Sequence, residues 1–215
     1  MNQKIEILDG IKYRYSSDWI NDFENKTRWN YYWYQQKILH NKIELKDRIL
    51  EIGVGSGFIS NYLKSKGFNI KTFDIDKDKN PDIVANIVSY DFKSEFDHIL
   101  AFEIFEHIPY DKFILVLKKL KKVCKKTLFF SVPLNRKVLF KISLFLPLIK
   151  HINWELSIKK RRITTEAHFW ELDYKELSEK KLILDIESAG FKIIDNSRFF
   201  SLKYFILRPV NYQEI

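Results

Sequence analysis

The sequence predicts a doubly wound α/β domain: a mostly parallel sheet with helices on both faces. Three observations carry that expectation. Short apolar runs at 48–52, 68–76, 96–102 and 127–133 alternate with segments of helical periodicity at 58–66, 111–126 and 175–189, the order that builds strand–helix–strand units. Three of the six glycines, Gly53, Gly55 and Gly57, fall within five residues directly after the first run, where a backbone must turn sharply and approach a ligand. The runs also end on, or lead into, acids at Glu51, Asp74 and Glu103, at the sheet edge where open α/β folds bind ligands.

Length and composition bound the rest. A chain of 215 residues with 46% hydrophobic and 16% aromatic side chains fits one folded domain. The single cysteine, Cys124, excludes an internal disulfide and a cysteine zinc cluster; it reads as an inert core residue on the helix 111–126. No metal-ligand cluster stands out, so no metal is expected. Residues 1–6 lack a signal peptide's apolar run, and no apolar stretch reaches the ~20 residues of a membrane span, which predicts a cytoplasmic location. The net charge of +9 invites a nucleic-acid partner. The lysines, however, accompany Ile and Asn as in AT-rich coding sequence and alternate with acids, so that partner is disfavoured; local concentrations remain at 118–126 and 159–162.

In chain order, residues 1–47 read as a helical cap, rich in aromatics (Trp19, Phe23, Trp29, Tyr31 to Tyr34), with a helix over 27–39 that packs on the sheet or closes over a ligand. The glycine turn then opens the helix 58–66, whose first amides face the ligand site. A dinucleotide fingerprint requires a small residue where Phe58 stands, and Glu51 would repel a diphosphate, so a nicotinamide-dependent oxidoreductase is disfavoured. The pattern Glu51-x-Gly53-x-Gly55-x-Gly57 instead resembles the first motif of class I S-adenosylmethionine (SAM)-dependent methyltransferases, whose cofactor presents a cationic sulfonium and an amino acid.

The resemblance extends along the chain. It assigns the ribose hydroxyls to Asp74, seventeen residues past Gly57, with Asp76 as the alternative. In the third strand, 81–87, Asn86 takes the place of an acid that holds the adenine amino group in related enzymes, its side-chain carbonyl serving as acceptor. Asp97, opening the fourth strand, reads as structural. Next stands Glu103-Ile104-Phe105-Glu106-His107-Ile108-Pro109, and Pro109 puts this segment in a loop. Its E-x-x-E-H-I-P pattern resembles a signature of one large bacterial group of these methyltransferases. That implies Glu103 beside the methionine part of the cofactor, and His107 either lining the cofactor or acting as general base.

Residues 134–171 form an insertion or lid. The apolar core 138–149 suits peripheral membrane contact, a lid over the acceptor, dimerisation, or packing on its own domain. Glu166-Ala167-His168-Phe169-Trp170-Glu171 also resembles the same bacterial group, many of whose members modify cell-surface glycans or lipids, and makes His168 a second candidate base. Residues 172–215 supply a helix and, at 191–196 and 204–207, the last strands. The resemblance implies a Rossmann-like seven-stranded sheet with an antiparallel last strand, cofactor binding by 48–133, and methyl transfer to an oxygen of a small molecule or of a glycan- or lipid-linked acceptor. A nucleic-acid methyltransferase and a non-catalytic cofactor-binding module are the competing readings.

Overall fold

A computed structural model describes residues 4–16, 22–146 and 149–210. Trp19, Pro147 and Leu148, each part of an expectation above, lie outside them. The expected sheet is present with seven strands: β3 (Arg48–Ile52), β4 (Asn69–Asp74), β5 (Ile83–Val84), β6 (Phe96–Phe102), β7 (Cys124–Pro133), β10 (Phe191–Phe199) and β11 (Leu202–Pro209). Their order is β10-β11-β7-β6-β3-β4-β5. β3 pairs in parallel with β4 and β6, and β6 in parallel with β7. Only β11 runs against its neighbours, antiparallel to both β7 and β10.

Strand alternation sorts the core into two layers. Leu50, Ile99, Ala101, Leu128, Phe130 and Phe205 point to the face covered by α3 (Tyr110–Val123) and α4 (Glu179–Ser188). Their neighbours Ile49, Leu100, Phe129 and Ile206 point to the face covered by α1 (Lys26–Leu39) and α2 (Phe58–Ser65). Both faces being buried explains why these strands read as continuous apolar runs. The parallel strands therefore end together, and β3, β4 and β6 deliver Glu51, Asp74 and Glu103 to one edge.

Three local expectations change. Residues 4–15, read as part of a helical cap, form the antiparallel hairpin β1 (Lys4–Leu8) and β2 (Ile11–Tyr15). Asp9 and Gly10 turn it with φ of 53° and 75°, the positive-φ pair that a two-residue hairpin turn requires. α3 ends at Val123, so Cys124 opens β7 instead of lying on a helix. The lysine concentration 118–126 is thereby split between α3 and β7, and part of it is paired within the chain: Lys119 donates to the carbonyls of Val88 and Tyr90, Lys125 pairs with Glu95, and Lys126 with Asp47 and Asp97. Asp97 also accepts from the Arg48 amide at 2.9 Å, a structural role. α4 begins at Glu179, not Lys175, because the Ser178 side chain caps it by accepting from the Lys181 amide.

The insertion is a long antiparallel hairpin, β8 (Arg136–Leu146) and β9 (Ile149–Lys159). Val138, Leu139, Phe140, Trp154, Leu156 and Ile158 are exposed on it.

Candidate active site

The β3–α2 turn is shaped by its glycines. Gly53, Gly55 and Gly57 have φ of 80°, 56° and 76°, a region that side chains with a Cβ disfavour. A Cβ on Gly53 would also fall 1.8 Å from the Ile104 Cδ1 atom, so any side chain there would have to displace Ile104 from the cavity wall. The turn is tied to β4 by Asp74, whose Oδ2 accepts from the Val54 amide and whose Oδ1 accepts from the Asp76 amide, both at 2.8 Å. Lys79 Nζ lies 3.1 Å from Oδ2 of the same carboxylate.

This turn forms one wall of a cavity of about 630 Å³ at the carboxyl ends of the parallel strands, within the range of small-molecule sites. Glu51, Gly53, Gly55, Asp74, Asn86, Glu103 and His107 all line it. Gly57 sits one step behind as the left-handed residue that starts α2, and Asp76 instead caps the short turn Lys77–Lys79 and pairs with Lys4. α1 closes one side: Arg28, Tyr31, Tyr32 and Gln35 face the cavity. Tyr32 stacks on Phe58 at 4.4 Å and its hydroxyl lies 2.8 Å from the Ser56 Oγ. The same helix buries Tyr34, Ile38 and Leu39 against the sheet, so one face of α1 packs on the sheet and the other lines the cavity. The residue too large for a dinucleotide turn, Phe58, thus packs against α1.

The carboxylates are desolvated. Burial pushes Glu51 up to about 8 and Glu103 up to about 7. Oε2 of Glu51 is buried without a hydrogen-bond partner, a cost that a cationic group in the cavity would relieve. Glu103 holds a left-handed backbone, φ 55°, anchored by its amide on the Ser131 carbonyl at 3.1 Å; such strain gathers at functional turns. Asn86 is already engaged: its Oδ1 accepts from the Tyr13 hydroxyl at 3.0 Å and the Val88 amide at 3.1 Å, and its Nδ2 donates to Asp9 at 2.7 Å.

At the other end, the two histidine motifs meet. The Phe169 amide donates to the Glu106 carbonyl at 2.8 Å and Trp170 Nε1 to the Ile108 carbonyl at 3.0 Å, clamping the 164–172 loop onto the turn Phe105–His107. The His107 and His168 rings stand edge to face with centroids 4.9 Å apart. His107 Nδ1 lies 3.1 Å from the Ala167 carbonyl oxygen, and His168 Nδ1 lies 2.7 Å from Glu171 Oε1. Burial raises the Glu171 carboxyl, but hydrogen bonds from His168, Asn135 and Thr164 outweigh it and hold Glu171 at about 2. A carbonyl and an ionised carboxylate only accept, so both Nδ1 atoms carry the hydrogen. Burial, then the neighbouring His168, push His107 down to about 4, which leaves it neutral with a free lone pair on Nε2. His107 is in the cavity wall, and His168 lies behind it.

Tyr13 and Arg14, absent from the sequence-based candidates, also line the cavity. Arg14 pairs with Glu166, joining the N-terminal hairpin to the histidine loop. The alternating run 5–15 with Asp9-Gly10 at its centre is the signal that would have placed them.

A family described as a methyltransferase domain matches residues 26–196, most of the chain and all three walls formed by the glycine turn, β4 and the histidine turn. The chain belongs to this methyltransferase family. Among curated protein sequences none matches it. Solved structures share the methyltransferase fold at low identity. The glycopeptide N-methyltransferase MtfA complexed with S-adenosyl-L-homocysteine aligns with a TM-score of 0.57 at 9% identity over 84% of this chain and 89% of its own. The CcbJ methyltransferase from Streptomyces caelestis aligns with a TM-score of 0.57 at 12% identity, covering 90% of this chain and 96% of its own. The Burkholderia thailandensis 1,6-didemethyltoxoflavin-N1-methyltransferase, with bound 1,6-didemethyltoxoflavin and S-adenosylhomocysteine, aligns with a TM-score of 0.55 at 13% identity, covering 98% and 96%.

Proposed function

We propose that this methyltransferase takes SAM as donor and methylates a hydroxyl oxygen of a small molecule, including a glycan- or lipid-linked precursor. The observation that carries the reading is the unpartnered, buried carboxylate oxygen of Glu51 beside the glycine turn, which suits the cationic donor and would repel a diphosphate. The amino-acid part of the donor falls to the glycine turn, Glu51 and Glu103, and the ribose to Asp74, whose two oxygens would take the hydroxyls in place of Lys79 Nζ, now 3.1 and 3.4 Å away. Asn86 contributes to the adenine end mainly as a fixed polar wall, because Tyr13 and Val88 already occupy its carbonyl.

Bound there, the donor supplies a methyl carbon on sulfonium: the C–S bond breaks as the O–C bond forms, and the electron pair stays on sulfur. The chain's main contribution is alignment, on the order of 7–11 kcal/mol of the barrier in well-oriented systems. The hydroxyl proton passes to Nε2 of His107 in the cavity wall, with His168 held beside it by Glu171; a general base typically adds ~10²–10⁴-fold. MtfA and the toxoflavin enzyme are N-methyltransferases by name, and the acceptor panel below distinguishes the two acceptor atoms. The exposed apolar side chains of the β8–β9 hairpin support contact with a lipid-linked acceptor or a membrane surface. No helix among the described residues is long and apolar enough to cross a membrane.

The test is methyl transfer from labelled SAM to a panel of sugar, phenol, lipid-linked and nucleic-acid acceptors. Label in a hydroxyl acceptor supports the reading. Label only in nucleic acid or in amines overturns the oxygen assignment, and tight donor binding without any transfer favours a non-catalytic module.

A further inference from the structure

We propose that Glu106, His107 and His168 form a binding site for one divalent first-row transition-metal ion at the acceptor end of the cavity. One ligand atom from each of the three side chains lies within 4.8 Å of the others. Two ligands held ~2.1 Å from a common ion stand at most ~4.2 Å apart, so small rotations of the rings complete the geometry. The expectation of no metal arose because the ligands come from two segments far apart in the sequence, which only the fold brings together.

Each ligand is prepared for this task. Both histidines have Nδ1 fixed from behind, His107 on the Ala167 carbonyl and His168 on the Glu171 carboxylate, which leaves the Nε2 lone pairs available to an ion. A carboxylate or carbonyl behind each ligating imidazole is the usual outer support of a metal site. Glu106 is 1% exposed, and its Oε2 has no hydrogen-bond partner. A cation bound there would supply the partner that this buried oxygen lacks.

Two imidazoles and one carboxylate suit zinc, manganese, iron or cobalt and disfavour calcium and magnesium, which prefer all-oxygen shells. Three protein ligands leave coordination positions open. His107 is in the cavity wall, which puts the site beside the space assigned to the acceptor, whose hydroxyl oxygen would be the incoming ligand. This role for the ion rests on the proposed reading of the cavity: with the ion bound, both Nε2 atoms are ligands and the ion takes over from the His107 base the task of lowering the hydroxyl's pKa.

The test uses cobalt(II) as the probe. The full-length protein is stripped with a chelator and titrated with Co²⁺ while visible d–d absorption is followed, alongside a calorimetric titration with S-adenosylhomocysteine. One equivalent of Co²⁺ with d–d bands that Glu106→Gln and His168→Asn abolish is the expected result, with Glu171→Gln, a positioning change, weakening Co²⁺ ~10–100-fold at unchanged stoichiometry. Circular dichroism and unchanged S-adenosylhomocysteine affinity establish that the variants are folded. Absence of the bands in the folded wild-type protein, or bands unaffected by both ligand substitutions, would overturn the site. Loss of S-adenosylhomocysteine binding in the wild-type protein would instead refute the donor assignment, whatever the cobalt does.

Discussion

The Val54 amide donates to Asp74 Oδ2 at 2.8 Å, so the bend after β3 is fastened to the end of β4 by the residue assigned to the ribose. Cofactor affinity and local stability are therefore coupled at Asp74. Asp74→Asn keeps the shape but replaces one acceptor oxygen by a donor, facing Val54, Asp76 or Lys79. We expect S-adenosylhomocysteine affinity to fall at least ~10-fold, with ~1–3 kcal/mol lost in stability. Calorimetry and thermal unfolding check this; affinity within twofold of wild type would remove Asp74 from the site.

Glu51 gives a pH dependence of definite sign. Its carboxyl sits at about 8 in the folded protein, above its value in an unfolded chain, ~4.3. Between those values the unfolded state binds fewer protons than the native state, so this group's contribution to stability declines as pH rises from ~4.3 to about 8. Glu51→Gln should thus raise Tm by at least ~2–4 °C at pH 8, equivalent to ~1 kcal/mol, and change it little at pH 4. The same substitution should weaken donor binding. A Tm gain that is equal at both pH values would contradict the burial argument.

Donor binding at pH 7 should release protons, because a cation beside Glu51 favours its ionised form. Calorimetric enthalpies measured in phosphate and in Tris should then differ in proportion to the buffers' ionisation enthalpies. Identical enthalpies would mean that Glu51 does not meet the cationic part of the ligand.

His168→Ala should lower turnover ~10²–10⁴-fold with S-adenosylhomocysteine affinity unchanged, since His168 stands behind His107 and the donor's proposed contacts are elsewhere. Steady-state kinetics with the acceptor found by the panel gives the readout. An unimpaired rate would exclude the histidine loop from the chemistry.

Among the described residues the long hairpin's strands pair with each other and with no other strand, β8 with β9. Replacing residues 138–157 by a two-residue turn should leave Tm within ~2 °C and donor affinity unchanged, while altering acceptor use or association with lipid vesicles. A folded trimmed protein that has lost donor affinity would show the hairpin to be part of the cofactor site.

Much of this architecture was legible because the buried parallel strands impose continuous apolar runs and the tight turn demands glycine at Gly53, Gly55 and Gly57. The N-terminal hairpin was not: its tyrosines and isoleucines alternate with charges over only five residues per strand, and the aromatic helix that follows dominated the segment. The insertion hid its strands differently. Val138, Leu139 and Phe140 are consecutive apolar residues on an exposed hairpin, so no period-two pattern separates its faces. The state of Asn86 was also out of reach, since its carbonyl is taken by Tyr13 from a distant strand. Likewise, nothing local in the E-x-x-E-H-I-P segment shows that His107 faces His168; that contact depends on the 164–172 loop returning across the turn Phe105–His107.

The most direct measurement is a calorimetric titration of S-adenosylhomocysteine into the folded wild-type protein, with NADH as control. The account predicts one site per chain for S-adenosylhomocysteine, weakened by Asp74→Asn and by Glu51→Gln, and no heat from NADH. Absence of S-adenosylhomocysteine binding, or binding of NADH in its place, would contradict it.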